Sequence, residues 1–341
     1  MPEPVVLPAH SPVRLTFVGD VNLGTSTLPG GVPPDTGRAL FGSVDTLLTG
    51  DLVVGNFEGV LADSGTSTKC RKRANCYVFL TPTRLAPRLI DAGFTHLNLA
   101  NNHANDYGAR GLASTMATLE GLGLTVYGPG TRMVVDSLRR ADTTVVVGVI
   151  GFATYPFAPN LLDIPRSVAL VDSIRPLVDL LVITFHGGTE GDVAIHTADG
   201  PEDLFGEARG DLRRWARAVL DAGADAVVGH GPHVLRGIEF YHGKPIFYSL
   251  GNFLTYRGFS LSGNKGVTGV LQLELAPDGG FVRARLVPLR QIPGAGLLLD
   301  PPGAAIDLVR RLSREDFGPR AAVIDSTGVI LPPAIEEPAG P

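Results

Sequence analysis

Two cysteines in 341 residues, Cys70 and Cys76, are too few for a disulfide-rich secreted scaffold or a four-cysteine zinc site. Reduced thiols in a cytosolic setting are expected, with a local disulfide as the alternative. Neither sign of charge dominates. The 29 Lys and Arg against 34 Asp and Glu leave a net charge of −5, which argues against nucleic acid or a membrane surface as partner. Any anionic substrate must be held by a local site. No stretch approaches the roughly 20 apolar residues of a membrane span. The opening MPEPVVLPAHSPVRLTF also lacks a charged start, an apolar middle and a small-residue cleavage site, so the expected location is the cytoplasm. There is no internal repeat, and no break in composition marks a linker before residue 300.

What is present is a globular composition, 44% hydrophobic and 18% charged, enough for a large core. Apolar runs predict strands at 13–18, 52–55, 96–99, 144–152, 180–185, 226–229 and 245–250. Helical patterns lie between them at 82–92, 111–122, 173–179 and 211–222, the last with Leu212, Trp215, Ala216, Val219 and Leu220 on one stripe. Helices alternating with buried strands imply a layered α/β architecture. Two later strands, 269–275 and 281–289, flank the turn residues Pro277, Asp278, Gly279 and Gly280 as a hairpin, and a last helix is expected near 304–314. The expected organisation is a flexible N-terminus (1–12), one catalytic domain (13–316) and a flexible C-terminal tail (317–341) ending in LPPAIEEPAGP.

Five strand ends run directly into Gly- or Asn-rich loops that carry metal-capable side chains. They are FVGDVN with Asp20 and Asn22, GNFEG with Asn56 and Glu58, LANNHAND with Asn102, His103 and Asp106, TFHGGTE with His186 and Glu190, and VGHGPH with His230 and His233. Open α/β sheets bind ligands beyond the carboxyl ends of their strands, so these termini should converge on one site. A mixed carboxylate, amide and imidazole set suits one or two divalent ions: Mn, Fe or Zn, or with more oxygen donors Mg or Ca. His96 falls within a strand and is expected to be a satisfied sheet residue, His10 and His242 lie in a tail and a turn, and His196 follows the Glu190 loop.

The segments VGDVNLG, NFEG, LANNHANDYG, FHGGTE, GHGPHVLRGIE and KPIFYSLGNF resemble the CapA family, named for poly-γ-glutamate capsule synthesis, over roughly residues 13 to 290. The resemblance implies the layered α/β/β/α sandwich of the calcineurin-like metallophosphoesterases. It also implies metal ligation by Asp20, Glu58 and Asn102, acid/base work by His103 with Asp106 orienting it, and ligand or acid roles for His186, His230 and His233. The chain departs from the pattern in three places. Asn22 stands where related phosphatases have His, Glu58 where they often have Asp, and Gly231 where many CapA-like chains carry His. Two ions would make the site a hydrolase centre that activates a bridging water. One ion beside several imidazoles would suit proton transfer at a peptide α-carbon, which is epimerisation.

The expected function is therefore a metal-dependent enzyme using His/Asp chemistry on a peptide or γ-glutamyl substrate. Its alternatives are a peptide Cα epimerase, a two-metal phosphoesterase or amide hydrolase, and a non-catalytic binding component of capsule synthesis. Substrate contacts are expected from Asn22, Asn56 and Glu190, and from Lys69 and Arg73 in the basic cluster at the Cys70–Cys76 loop. Tyr155 in the apolar segment 153–164, read as a lid or pocket wall, and Arg236 are further candidates.

Overall fold

The computed structural model describes residues 11–42, 44–70, 76–294 and 296–334. His10, Arg71, Lys72 and Arg73 lie outside the described residues, as do the ends of both expected flexible termini. Two large sheets dominate. The first runs in the order Val323–Ile324, Val329–Leu331, Phe281–Ile292, Val267–Leu275, Val13–Asn22, Leu52–Phe57, His96–Asn98 and Thr125–Tyr127, with Asn252–Thr255 beside the end of Val13–Asn22. The second runs Ile238–Tyr241, Lys244–Phe247, Ala226–His230, Leu180–His186, Thr144–Ala153 and Met133–Arg139. The strands that end in the polar loops are parallel to one another within each sheet. Their carboxyl ends therefore lie on one side.

The layering follows from which face of each strand is apolar. Leu15, Phe17 and Val54 of the first sheet share a buried cluster with Val147, Val149, Val182 and Val228 of the second, so the sheets pack face to face. The opposite face of the first sheet, with Val18, Val53 and Leu97, meets Leu85, Leu89 and Leu119 from the helical segments. On the far side of the second sheet, Phe152, Leu181 and Ile183 pack on Val171, Leu212, Trp215 and Val219 of the helices Ile164–Ile174 and Leu212–Asp221. The result is the expected α/β/β/α sandwich. Among the described residues no helix is long and apolar enough to cross a membrane.

Three expectations are corrected. The helix placed at 173–179 begins earlier, at Ile164–Ile174, because Asp163 caps it by accepting from the Arg166 N–H at 3.1 Å and Pro165 suits its first turn. The tail expected from 317 onward instead adds two strands, Val323–Ile324 and Val329–Leu331, to the edge beside Phe281–Ile292. Their apolar runs, with Ile324 and Ile330 buried, are too brief to stand out as strands in the sequence. Cys70 and Cys76 are paired as a disulfide, the alternative to the reduced thiols expected.

Candidate metal centre

Parallel pairing sets the frame. Asp20 is in register with Asn56, Asn56 with Asn98, and His186 with His230, so side chains from both sheets meet at one end of the sandwich. Asn56 donates to Asp20 Oδ1 at 2.8 Å, while its own oxygen accepts from Asn98 and Asn101 at 3.0 and 3.1 Å. It orients Asp20 and has no atom left for substrate. Asn22 is likewise internal: it donates to the Glu58 carbonyl at 2.7 Å and accepts from the Gly24 N–H at 2.9 Å. The polar atoms of both residues, expected to contact substrate, are engaged in these internal hydrogen bonds.

Ligand atoms of Asp20, Glu58 and His233 lie within 4.8 Å of one another. His233 Nδ1 is 3.0 Å from Asp20 Oδ2 and 3.1 Å from Asn252 Oδ1. It holds this position at φ 60, a left-handed conformation rare for a residue with a side chain and common where a site dictates the geometry. Gly231, where many CapA-like chains are expected to carry His, sits in a tight turn. At φ +112, a Cβ there would lie 2.7 Å from the Gly187 carbonyl oxygen, so the turn packs against the loop after His186.

Glu58 is fully buried, and neither carboxylate oxygen has a hydrogen-bond partner. Three imidazoles surround it: Nε2 of His186 and of His233 are each 3.8 Å from Oε1, and Nε2 of His103 is 4.0 Å away. Burial, then the Asp20 charge, pushes the Glu58 pKa well above the usual carboxylate range. His186 Nε2, His230 Nδ1 and Asn102 Oδ1 are also buried without partners. Burial holds His186 well below the ordinary imidazole value and His230 down at about 4. For His233, burial works downward too, but the Glu58, Glu190 and Asp20 carboxylates outweigh it and raise the pKa to about 10. Orphaned carboxylate, amide and imidazole atoms gathered in this way fit a divalent cation.

His103 is set differently. Its Nδ1 lies 2.7 Å from Asp106 Oδ2, and Asp106 also accepts from the Phe79 N–H at 2.8 Å. Lys69 extends to Asp106 Oδ1 at 2.5 Å and to the Asn102 carbonyl at 2.8 Å. It is therefore engaged with the His103 dyad rather than held out for a substrate carboxylate. Arg236, 1% exposed, donates twice to Glu202 at 2.8 Å and to the carbonyls of Ala194 and Thr189, so it ties down the loop after His186 and is withdrawn from substrate. Tyr155 donates to Glu207 at 2.6 Å and accepts from Arg209 at 2.8 Å, and it packs with Phe157 near Ala100. His196 sits 2.7 Å from Asp316 and His96 lies 3.0 Å from Asp136, so neither belongs to the cluster.

Several residues here have no precedent in the motif reading. Arg209, buried, reaches Glu190 Oε1 at 3.0 Å, and Glu190 Oε2 is 3.8 Å from His233 Nε2. Nothing in the EARG stretch around it signals this. Asn252, by contrast, lies in the quoted SLGNF motif, whose asparagine was open to notice. Phe259 stacks on Phe79 with centroids 4.7 Å apart and meets the rings of His233 and His103 at 5.2 and 6.4 Å.

An α/β/β/α sandwich with a donor cluster at its strand ends defines the class of this protein. The chain belongs to the family described as bacterial capsule synthesis protein PGA_cap, whose family model matches residues 14–257. It is 32% identical over 262 residues to the PGA biosynthesis protein CapA of Bacillus subtilis (strain 168), covering 72% of this chain and 64% of that protein. To the capsule biosynthesis protein CapA of Bacillus anthracis it is 30% identical over 305 residues, covering 84% and 69%. The chain thus spans about two-thirds of the length of these relatives, 64% of the first. Among solved structures, a 5'-nucleotidase precursor from Thermus thermophilus aligns at 16% identity and a TM-score of 0.44, over 84% of this chain and 54% of that one.

Proposed function

We propose that this chain is a metal-dependent enzyme acting on an amide-linked substrate, a peptide or a γ-glutamyl chain. The observation that carries this reading is Glu58, fully buried with both oxygens unpartnered and three imidazole nitrogens about it. Without a cation such an arrangement leaves an uncompensated polar group in the interior. Asp20, Glu58 and His233 would hold the ion, with His186 and His230 beside them and the unpartnered Asn102 amide oxygen as a further donor. A bound divalent cation supplies polarisation of a substrate carbonyl and acidifies a water.

His103 moves the proton. Asp106 fixes its Nδ1, leaving Nε2 directed toward Glu58. Burial lowers the His103 pKa, so it meets the substrate as a neutral base. In hydrolysis it accepts a proton from the attacking water as the C–O bond forms. It then delivers that proton to the leaving nitrogen as the C–N bond breaks.

A second reading has its own support. His103 and His233 each have a carboxylate at Nδ1, and their Nε2 atoms lie 4.0 and 3.8 Å from the same Glu58 oxygen. Two such imidazoles could take an α-proton from one face of a peptide carbon and return one to the other. The two readings separate in D2O on a panel of peptides and γ-glutamyl oligomers with added Mn²⁺ or Zn²⁺. New amino termini favour hydrolysis, and deuterium at Cα without cleavage favours epimerisation. Asp20→Ala and His103→Ala should each abolish whichever activity is found while the protein stays folded. Retained activity in either variant refutes the site, and failure of both activities leaves the binding role in capsule assembly.

A further inference from the structure

A cavity of about 450 Å³ opens beside the catalytic cluster, within the size range of small-molecule pockets, about 300–1,000 Å³. Its wall is carbon-rich: Leu28, Pro29, Phe259, Leu261 and Pro293 contribute, and Arg257 is the single ionisable residue among those lining it. Arg257 forms no hydrogen bond or ion pair among the described residues. It stands at φ 57, a conformation that a residue with a side chain holds only where its surroundings require it. Beside it, Gly258 at φ +84 lets the wall close up, since a Cβ there would lie 2.8 Å from Phe79 Cε1.

The cavity is continuous with the chemistry through one side chain. The ring of Phe259 lines it and also meets the rings of His233 and His103. An occupant would therefore sit next to the reacting bond. The glutamyl chain that the family name suggests carries a carboxylate on every residue, and the lining offers those charges no ionisable partner apart from Arg257. An apolar side chain, with one carboxylate placed against Arg257, matches both parts of the lining.

We propose that this cavity is the subsite for an apolar residue of a peptide substrate whose carboxylate is met by Arg257, so that the preferred substrate is a peptide and not a polyanionic glutamate chain. The proposal rests on the enzymatic reading of the neighbouring cluster. Its test is direct binding by calorimetry to the full chain, using N-acetyl-leucyl-phenylalanine, the corresponding C-terminal amide and N-acetyl-γ-glutamyl-glutamate as probes. The free acid should bind about tenfold more tightly than the amide, a charge-assisted contact's share, and the γ-glutamyl probe most weakly. Arg257→Ala should erase the difference between acid and amide, and Leu28→Asp should weaken both. The proposal is overturned if the γ-glutamyl probe binds as well as the apolar acid, or if Arg257→Ala leaves the acid-to-amide ratio intact. Were Asp20→Ala to abolish activity while the cavity variants changed no affinity, the subsite would fall and the metal-centre reading would stand. The converse, altered affinities with full activity in Asp20→Ala, keeps the subsite and removes the metal-centre chemistry.

Discussion

Glu239, on the strand Ile238–Tyr241, and Glu58, directly after the strand Leu52–Phe57, are both shielded completely from solvent, and their surroundings are opposite. Glu239 accepts from Arg217 at 2.8 Å, from Arg320 at 2.6 Å and from the Tyr248 hydroxyl at 2.8 Å. Arg236 and Glu202 form a second pair of this kind. Glu58 has no hydrogen bond to either oxygen, and its nearest imidazoles stop at 3.8–4.0 Å. Burial alone therefore does not mark a functional carboxylate in this fold. The mark is an unmet valence: a satisfied buried charge holds loops together, whereas an orphaned one is kept for a cation or substrate.

Exchanging each carboxylate for its amide tests that contrast. Glu58→Gln should reduce activity by roughly 10⁴-fold, as removal of a reacting group's support does. Dialysed against chelator, the same variant should unfold in urea no more easily than the parent, because a neutral amide replaces a carboxylate that burial disfavours. A destabilised variant with normal turnover would invert the assignment. His103→Gln comes next, with an expected loss of about 10²–10⁴-fold in kcat and an unchanged metal content per chain by elemental mass spectrometry. Loss of metal in that variant would make His103 a ligand rather than the proton carrier.

Glu239→Gln should act on stability instead. Breaking one partner of a buried pair costs about 3–5 kcal/mol. Because Arg320 is half exposed, we expect the lower end, about 3 kcal/mol by urea denaturation, with unchanged activity where the protein is folded. If activity fell as it does in Glu58→Gln, satisfied and orphaned carboxylates would not differ in role.

The sequence revealed the orphaned side of this comparison far better than the satisfied side. Apolar strands ending in Asp20, Glu58, His186 and His230 are a local pattern, and parallel pairing brings local patterns at strand ends together. Most strand cores and the helix Leu212–Asp221 were legible for the same reason: each has its period within a single segment. The partners of Glu239 come from residues 217, 248 and 320, a separation that no spacing rule spans. Arg236 shows the consequence. Its place in a motif suggested a ligand-facing cation, while its actual partner, Glu202, opens the short strand Glu202–Leu204, 34 residues away. Lys69 reaching Asp106 and Asn56 serving Asp20 were hidden likewise, since only the folded register shows which polar atoms are already engaged.

His96 occupies the middle ground between the two carboxylates and gives the smallest expected effect. It is buried on the strand leading to Asn98, with Nδ1 2.7 Å from Thr95 Oγ1 and Nε2 3.0 Å from Asp136 Oδ2. Burial lowers its pKa, and the Asp136 charge and hydrogen bond only partly offset this. The unfolded chain therefore takes up a proton near the ordinary imidazole value of about 6.5, while the folded protein resists it. The contribution to stability is full above about pH 6.5 and is lost as the pH falls toward the lower folded value. In His96→Gln this share of the acid limb disappears, flattening stability against pH below about 6.5 by at most about 1.4 kcal/mol per unit. His103, His186 and His230 are depressed in the same direction, but they are common to both proteins and cancel in the difference. Parallel acid limbs in urea titrations of the two proteins would mean that Asp136 compensates His96 fully, moving it from the middle of the comparison to the satisfied side with Glu239.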